Sequence, residues 1–255
     1  MKTICKRVAQ SLLLTLAKLS IMLHRPFTIA IAGSTDKTLV KDVICEQFSS
    51  HRHAVRANPK SYNNEMGLPL SILSLASGNA SMLRWLAILI QGFIKTFVDS
   101  TFPSVLIVEL GVDHPGDMHY LLSMIQPRVA IITTCTSEYI SNFGALDRIA
   151  KEYAVLVSRV AHNGLVILNS DDERIAALRP AGACTVVTVG EGPLADRQLR
   201  DIDEATSTQR WRVLRSNDST DEFGLLTINR PGAHHRWALS VAMIVHQWYD
   251  LNNKL

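Results

Sequence analysis

Short apolar segments rich in β-branched residues alternate along this chain with segments whose apolar residues recur at helical spacing. That alternation is typical of a parallel sheet covered by helices on both faces. The apolar segments are nearly continuous, so we expect strands buried on both sides. The predicted strands are Phe27 to Ala32, Ser104 to Leu110, Arg128 to Thr134, Gly164 to Leu168 and Cys184 to Val189. The fold class predicted is α/β, with a mostly parallel sheet.

Three segments between these strands have an apolar helical face. The faces contain Leu39, Val43 and Ile44; then Met118, Leu121, Leu122 and Ile125, with Pro127 ending that helix; then Leu146, Ile149, Tyr153, Leu156 and Val160. From Asp201 to Arg230 apolar and polar residues alternate around a turn-rich Ser216 to Asp221, which predicts an antiparallel hairpin. A last helix is predicted from His234 to Tyr249.

Two apolar segments need to be separated from membrane or export signals. At the N-terminus Lys18 interrupts the apolar run, so we interpret residues 1–26 as a lead helix packed on a core. Its predicted core-facing residues are Val8, Leu12, Leu16, Leu19 and Leu23. Trp85 to Ile90 is far shorter than the ~20 residues of a membrane span and predicts a buried helix. These interpretations predict no membrane partner.

Charge and cysteine content exclude other classes. The 255 residues have a formal net charge of only +3, and no Lys/Arg block is interleaved with aromatic residues, which argues against nucleic-acid binding. Cys5, Cys45, Cys135 and Cys184 are far apart and form no zinc or redox motif. A reducing, cytoplasmic location is therefore expected.

The turn after the first strand has the composition of a phosphate loop. A turn of this kind between strand and helix points backbone N–H groups at one spot, where phosphate oxygens bind. A lysine adds charge there and a threonine hydroxyl reaches Mg²⁺. The residues are Gly33, Ser34, Thr35, Asp36, Lys37 and Thr38. Asp36 stands where the motif has a glycine, and on this motif alone an ordinary strand-to-helix turn is an equal alternative.

Four segments in the same order resemble the Mur ligase family, in particular the branch that adds D-alanyl-D-alanine. They are TIAIAGSTDKT at the phosphate loop, SYNNEMGLPLSIL from Ser61, VLIVELGVDHPGDMHYLLSMIQPRVAIITT from Val105 and GLVILNSDDERI from Gly164. The resemblance extends over nearly the whole chain after Phe27. It implies a P-loop-type central domain at residues 27–255 that uses ATP to phosphorylate a carboxylate, which an amine then attacks.

The resemblance also implies site residues, carried over position by position. Residues Gly33 to Thr38 bind the ATP phosphates, with Lys37 as the catalytic cation, and Thr38 with Glu109 holds Mg²⁺. Asn63 and Asn64 bind the muramoyl substrate. The implied substrates are a UDP-muramoyl peptide and an amino acid or dipeptide, in peptidoglycan precursor synthesis.

At other positions the chain departs from the family pattern. Tyr139 replaces a metal-binding histidine and Ser141 a glutamate, while Tyr153 replaces the carbamylated lysine and Val155 an acid. Lys151 cannot substitute for that lysine, since two residues along a helix is about 200° away. The adenine-contacting segment reads His234-His235-Arg236-Trp237-Ala238 and lacks both family asparagines. These changes affect chemistry rather than packing.

Several interpretations remain open. The family's N-terminal UDP-binding and C-terminal domains are not seen, which suggests a partner chain that supplies them or a truncated fragment. A catalytically impaired nucleotide-binding or scaffolding homologue is an alternative. An unrelated metal protein, using His51 and His53, Asp113-His114 or His234-His235, is a third. The pair Asp171-Asp172 is expected to cap a helix.

Overall fold

The computed structural model describes residues 2–78, 82–98, 101–205, 208–215, 222–228 and 232–253, with backbone alone at 2–7, 82, 202–205, 208, 222 and 228. The elements in chain order are α1 (Lys2–His24), β1 (Phe27–Ala32), α2 (Lys37–Ser50), β2 (Val55–Ala57), α3 (Gly67–Ile72), α4 (Met82–Val98), β3 (Val105–Glu109), α5 (Asp117–Leu122), β4 (Val129–Ile132), a 3-10 turn (Ser137–Tyr139), α6 (Ile140–Phe143), α7 (Leu146–Ser158), β5 (Leu165–Asn169), α8 (Glu173–Ala176), β6 (Thr185–Gly190), β7 (Arg197–Ala205), β8 (Thr208–Arg215), β9 (Glu222–Ile228) and α9 (Ala233–Asn252).

Within these residues the strands form one sheet in the order β2-β3-β1-β4-β5-β6-β7-β8-β9. Every pair from β2 to β7 is parallel, and β8 and β9 continue the sheet antiparallel. The predicted α/β class is confirmed. The predicted antiparallel hairpin is confirmed as β8 and β9, and β7 adds a third strand that joins it to the main sheet; its turn at 216–221 lies outside the described residues.

Side chains alternate between the two faces of the parallel strands, and both faces are buried. Ile29 and Ile31 of β1 pack in one cluster with residues of α2 and α9. Ala30 and Ala32 pack in the other with residues of α3, α5 and α7. Because neither face meets water, these strands read as continuous apolar segments. Because β1 pairs in parallel with both β3 and β4, the carboxyl ends of these three strands meet at one edge of the sheet, where loops can form a site.

The helix predicted to end at Pro127 is shorter than expected, because α5 ends at Leu122. Ser123 and Met124 still donate backbone hydrogen bonds to carbonyls of the last helical turn. Ile125 is buried beyond the helix, with only 4% of its surface exposed. The loop after the helix is also buried and needs apolar residues. The apolar pattern in the sequence therefore extends beyond the last helical residue.

The prediction that the lead helix packs on a core is correct, but the predicted face is wrong. Ala9, Leu13, Ala17 and Ser20 are its buried residues. Among the residues predicted to face the core, Val8, Leu12 and Leu23 are exposed, and Leu16 and Leu19 are half-buried. α1 lies close to α4 along this side: a Cβ at Gly92 of α4 would lie 3.2 Å from Leu16.

The helix predicted at Trp85 to Ile90 exists as part of α4, but it is not a buried helix. Ile88 is buried, whereas Leu86 and Ile90 expose 57% and 54% of their surface. The helix packs on one side only and leaves many of its apolar residues exposed, which a count of apolar residues does not reveal. None of the described helices combines the length and apolarity that a membrane crossing requires.

Candidate nucleotide-binding site

The turn between β1 and α2 passes close to the residues that follow β4. Gly33 has φ +139°, and a Cβ there would collide with the Thr133 side chain. The Ser34 N–H donates to the Thr134 carbonyl over 2.8 Å, and the Thr133 hydroxyl donates to the Thr35 carbonyl over 2.6 Å. Glycine is therefore required at the start of this turn by both backbone conformation and space.

Lys37 lies inside the turn. Its Nζ donates to the carbonyls of Gly33 at 2.6 Å and Ser34 at 2.9 Å, and the residue is 9% exposed. Burial lowers the pKa of Lys37, while the carboxylate of Glu109, and less strongly those of Glu138, Asp113 and Asp36, raise it. The loop thus holds a cation at its centre.

Asp36 precedes α2 with φ +62°, in the left-handed region. Its side chain makes no capping hydrogen bond to the helix and instead accepts a 3.0 Å hydrogen bond from the Thr35 hydroxyl. This conformation is one that glycine adopts without strain. The backbone therefore retains the conformation of a glycine loop, while the side chain adds a negative charge to its mouth.

Thr38 and Glu109 meet across the gap between α2 and β3. The Thr38 hydroxyl donates to Glu109 Oε2 over 2.8 Å, and Glu109 is 6% exposed. A carboxylate at the end of a buried strand beside a threonine hydroxyl offers hard oxygen ligands of the kind Mg²⁺ uses. The two residues predicted to share a metal are therefore adjacent.

Two residues that the sequence did not single out complete the surroundings of Glu109. Asn58 accepts a 2.7 Å hydrogen bond from the Glu109 N–H and donates to the Glu109 carbonyl at 2.9 Å. Lys41 is 4% exposed, donates to the Asn58 carbonyl at 3.0 Å and lies 3.9 Å from Glu109 Oε2. A lysine on a helix normally reaches water, so its sequence gave no signal of this buried position.

The two predicted substrate-binding asparagines have different surroundings. Asn63 Nδ2 donates to Glu109 Oε1 over 3.0 Å, which brings it into the same cluster. Asn64 is exposed, and its Oδ1 accepts hydrogen bonds from the N–H groups of Met66 and Gly67 at the start of α3. Asn63 therefore lies at the candidate site, while Asn64 shapes the adjacent turn.

Among the substituted family positions, Tyr153 lies directly beside the loop. Tyr153 is 1% exposed, with its hydroxyl 3.4 Å from Ser34 Oγ, and burial raises its pKa well above the ordinary value. Tyr139 is half-buried, and burial followed by nearby Glu138 raises the pKa of its phenol. Lys151 is exposed, as its helical position requires. Ser141 is exposed and Val155 is half-buried, and neither side chain has the carboxylate that the family pattern has at its position.

Beside the loop lies a cavity of about 180 Å³. Its walls come from the turn, the ends of β4 to β6, the strand β7 and the start of α9: Asp36, Thr133, Thr134, Asn169, Asp171, Glu191, Leu199, Ala233, His234 and Trp237. The Trp237 indole N–H donates to the Val189 carbonyl over 3.0 Å, and Arg236 pairs with Glu191 at 2.7 Å. The segment predicted to contact adenine therefore faces the cavity next to the phosphate-binding turn.

The other histidine and acid pairs have local partners. The His51 ring lies 3.9 Å from that of His246, and His53 lies 6.3 Å from it. Over the part of the chain that the structure describes, no group of three or more His, Cys, Asp or Glu residues could hold a metal. Asp172 caps α8 through the N–H groups of Arg174 and Ile175, as predicted, whereas Asp171 accepts from Glu191 and Gly192 instead.

A parallel sheet with this turn at its carboxyl edge defines an α/β domain of the phosphate-loop class. The sequence profile of the Mur ligase middle domain matches residues 87–245, well over half of the chain. The chain belongs to that family.

Individual relatives agree with this assignment. The UDP-N-acetylmuramoyl-tripeptide--D-alanyl-D-alanine ligase of Mycobacterium leprae is 26% identical over 164 residues, which is 64% of this chain and 27% of the relative. The solved MurF ligase of Thermotoga maritima in complex with ADP superposes with a TM-score of 0.69 at 18% identity, covering 93% of this chain and 49% of that one. MurF from Acinetobacter baumannii gives 0.67 at 19% identity, covering 91% and 46%. The chain thus spans half or less of these relatives.

Proposed function

We propose that the chain is the ATP-binding core of a Mur-type amide ligase. In this reaction ATP phosphorylates a carboxylate of a UDP-muramoyl peptide, and the amine of an amino acid or dipeptide displaces the phosphate. The observation that carries the proposal is the convergence of Lys37, Thr38 and Glu109 at one edge of the parallel sheet. Charge neutralisation and positioning are the main requirements of such chemistry.

Phosphate binding is assigned to residues Gly33 to Thr38. Lys37 Nζ, now bonded to two loop carbonyls, has a third proton available for a phosphate oxygen. The start of α2 adds the positive end of a helix dipole. The adenosine would occupy the cavity lined by His234 and Trp237.

The donor atoms at Thr38 and Glu109 fit a magnesium ion. Both are oxygen ligands, and Glu109 is buried, so its charge is little screened by water. Thr38 and Glu109 would hold the ion, and its charge would offset that of the nucleotide phosphates. Lys41, 3.9 Å from Glu109, balances this carboxylate when no cation is present.

The substrate assignment rests on the names of the relatives and on Asn63. This residue contacts Glu109, and we propose that it also binds the muramoyl substrate. We propose residues 27–255 as the central domain and residues 1–26 as a lead helix. Contacts to UDP and to the incoming amine would come from further domains or from a partner chain.

A second candidate function is a nucleotide-binding or scaffolding homologue without ligase activity. Tyr153 favours it, because a buried neutral phenol fills the position of the family's carbamylated lysine. Tyr139 favours it as well, since a phenol is a poor ligand for Mg²⁺. Both candidates require nucleotide binding and differ in turnover.

Calorimetric titration with Mg-ATP tests both candidates. We expect binding by the native chain and at least ~10-fold weaker binding by Lys37→Ala, because a phosphate would lose a charge-assisted hydrogen bond. Lys151→Ala, which removes an exposed lysine of α7, is the matched control and should bind like the native chain. No heat at millimolar nucleotide would refute both candidates.

Turnover then separates the two. Ligase activity predicts phosphate release that requires both a UDP-muramoyl peptide and a dipeptide. Nucleotide binding without such release would favour the non-catalytic candidate.

A further inference from the structure

Exposed apolar side chains are concentrated on two helices. Of the fifteen large hydrophobic residues that are exposed in the described chain, eleven belong to α1 or α4. We call them the α1–α4 surface: Val8, Leu12, Met22, Leu23, Leu83, Leu86, Ile90, Phe93, Ile94, Phe97 and Val98. A concentration of this kind marks a site of interaction rather than ordinary scatter.

The two helices are firmly packed against each other and against the domain. The Ser20 hydroxyl donates to Thr96 Oγ1 over 3.2 Å, and both residues are buried. Ile88, Gly92 and Thr96 form the packed side of α4. At 100° per residue, the exposed positions of α4 centre on the opposite side of the helix. Their exposure therefore does not come from a loosely attached helix.

These two helices have basic residues and no acidic ones. They contain six of the 26 Lys and Arg residues and none of the 23 Asp and Glu residues: Lys2, Lys6, Arg7, Lys18, Arg84 and Lys95. The rest of the chain has 20 basic against 23 acidic residues, so the positive net charge arises here. Apolar stripes combined with basic and without acidic residues are typical of helices that lie on anionic membranes.

We propose that the α1–α4 surface binds the headgroup region of an anionic phospholipid bilayer. The apolar side chains enter the interface, and Lys18, Arg84 and Lys95 supply positive charge for the lipid phosphates. A helix that lies on a membrane surface does not need the ~20 apolar residues of a spanning helix. The shortness of the apolar segment Trp85 to Ile90 therefore does not argue against surface binding. This inference revises the expectation of no membrane partner and is independent of the nucleotide proposal.

A second copy of the chain fits the surface less well. A symmetric dimer would bring the same patch of each copy together and place its cations near those of the other copy. No acidic residue on either helix could offset them. An anionic bilayer supplies the opposite charge over the whole surface.

Sedimentation of the full chain with lipid vesicles tests the proposal. We expect binding to vesicles of phosphatidylglycerol and phosphatidylcholine, weaker binding to phosphatidylcholine alone, and release by salt. Phe93→Gln with Phe97→Gln should lower the partition coefficient at least ~10-fold, because two apolar rings leave the interface. Leu194→Gln with Leu225→Gln, which changes exposed leucines elsewhere, is the matched control and should bind as the native chain does.

Three outcomes would overturn the proposal. One is no sedimentation with anionic vesicles at millimolar lipid, which would leave the surface to another protein or domain. Another is equal loss of binding in both double variants. The third is light scattering that shows a dimer dissociated by Phe93→Gln with Phe97→Gln, which would assign the surface to a second copy. Circular dichroism of each variant confirms that it is folded.

Discussion

The Thr38 hydroxyl donates to the Glu109 carboxylate over 2.8 Å, although the two residues are 71 positions apart. Thr38 lies in the first turn of α2, and Glu109 is the last residue of β3. Because β1 pairs with β3 in parallel, with Ile31 opposite Glu109, the loop after β1 and the end of β3 meet at the same edge. The contact thus follows from strand order.

Glu109→Gln tests the metal assignment. The variant keeps an oxygen for Thr38 but removes the charge that a cation needs, so the increase in ATP affinity on adding Mg²⁺ should be lost. It should also destabilise the fold by about 2 kcal/mol, since buried Lys41 loses its buried carboxylate partner and keeps only the exposed carboxylate of Asp42, at 3.6 Å. Calorimetry with and without Mg²⁺ measures the first effect and urea unfolding the second.

Glu46→Gln is the control for this variant, because Glu46 is an exposed acid on α2. It should leave both quantities unchanged. If Glu109→Gln retained the full magnesium effect, the cation would have to bind elsewhere.

Tyr153→Phe should alter the alkaline stability of the domain. The raised pKa keeps the buried phenol neutral in the folded state, while in the unfolded chain it ionises near its ordinary value of 10.0. Above about pH 10 the unfolded chain binds fewer protons, so the free energy of unfolding falls by up to ~1.4 kcal/mol per pH unit from this group. The variant lacks that loss.

The measurement is the difference in unfolding free energy between native chain and variant, at neutral pH and above pH 10. At neutral pH the variant should be less stable by at most about 1 kcal/mol, because the contact with Ser34 is long at 3.4 Å. A difference independent of pH would mean that the phenol reaches water.

The sequence predicted the buried strands well, because two-sided burial leaves a continuous apolar segment. It missed β2, an edge strand of three half-buried residues, Val55–Ala57, which carries no such signal. It placed Lys37, Thr38 and Glu109 at one site through the resemblance, and their contacts support that placement.

Lys41 and the α1–α4 surface could not be predicted in the same way. Their state depends on what lies opposite in space. Lys41 faces the carbonyl of Asn58, whereas the Phe93 and Phe97 rings contact each other and are still 58% and 52% exposed. Apolar content predicts that a residue tends to be buried, but it does not identify a neighbouring element that covers it.

Gly33→Ala should distort the phosphate-binding turn. The added methyl group would overlap the Thr133 side chain, and φ +139° is unfavourable for alanine. We expect a loss of about 2 to 3 kcal/mol in unfolding free energy together with loss of nucleotide binding. Gly182→Ala is the control, because nothing lies within 4 Å of its added methyl and no positive φ is required. Thermal unfolding of both variants checks the prediction, and equal melting temperatures would contradict it.

Two substitutions of Asp36 distinguish the effect of its backbone conformation from the effect of its charge at the mouth of the loop. Asp36→Gly removes a side chain from a residue with φ +62° and should stabilise the fold by about 0.5–1 kcal/mol. It also removes a carboxylate, and at about 4 Å from a phosphate that repulsion amounts to ~1 kcal/mol or more, so ATP affinity should rise about fivefold. Asp36→Asn keeps the conformation and removes only the charge, and it should gain affinity without the same stability. Calorimetry and urea unfolding measure the two effects; weaker binding by both variants would mean that the Asp36 carboxylate faces a cation rather than phosphate.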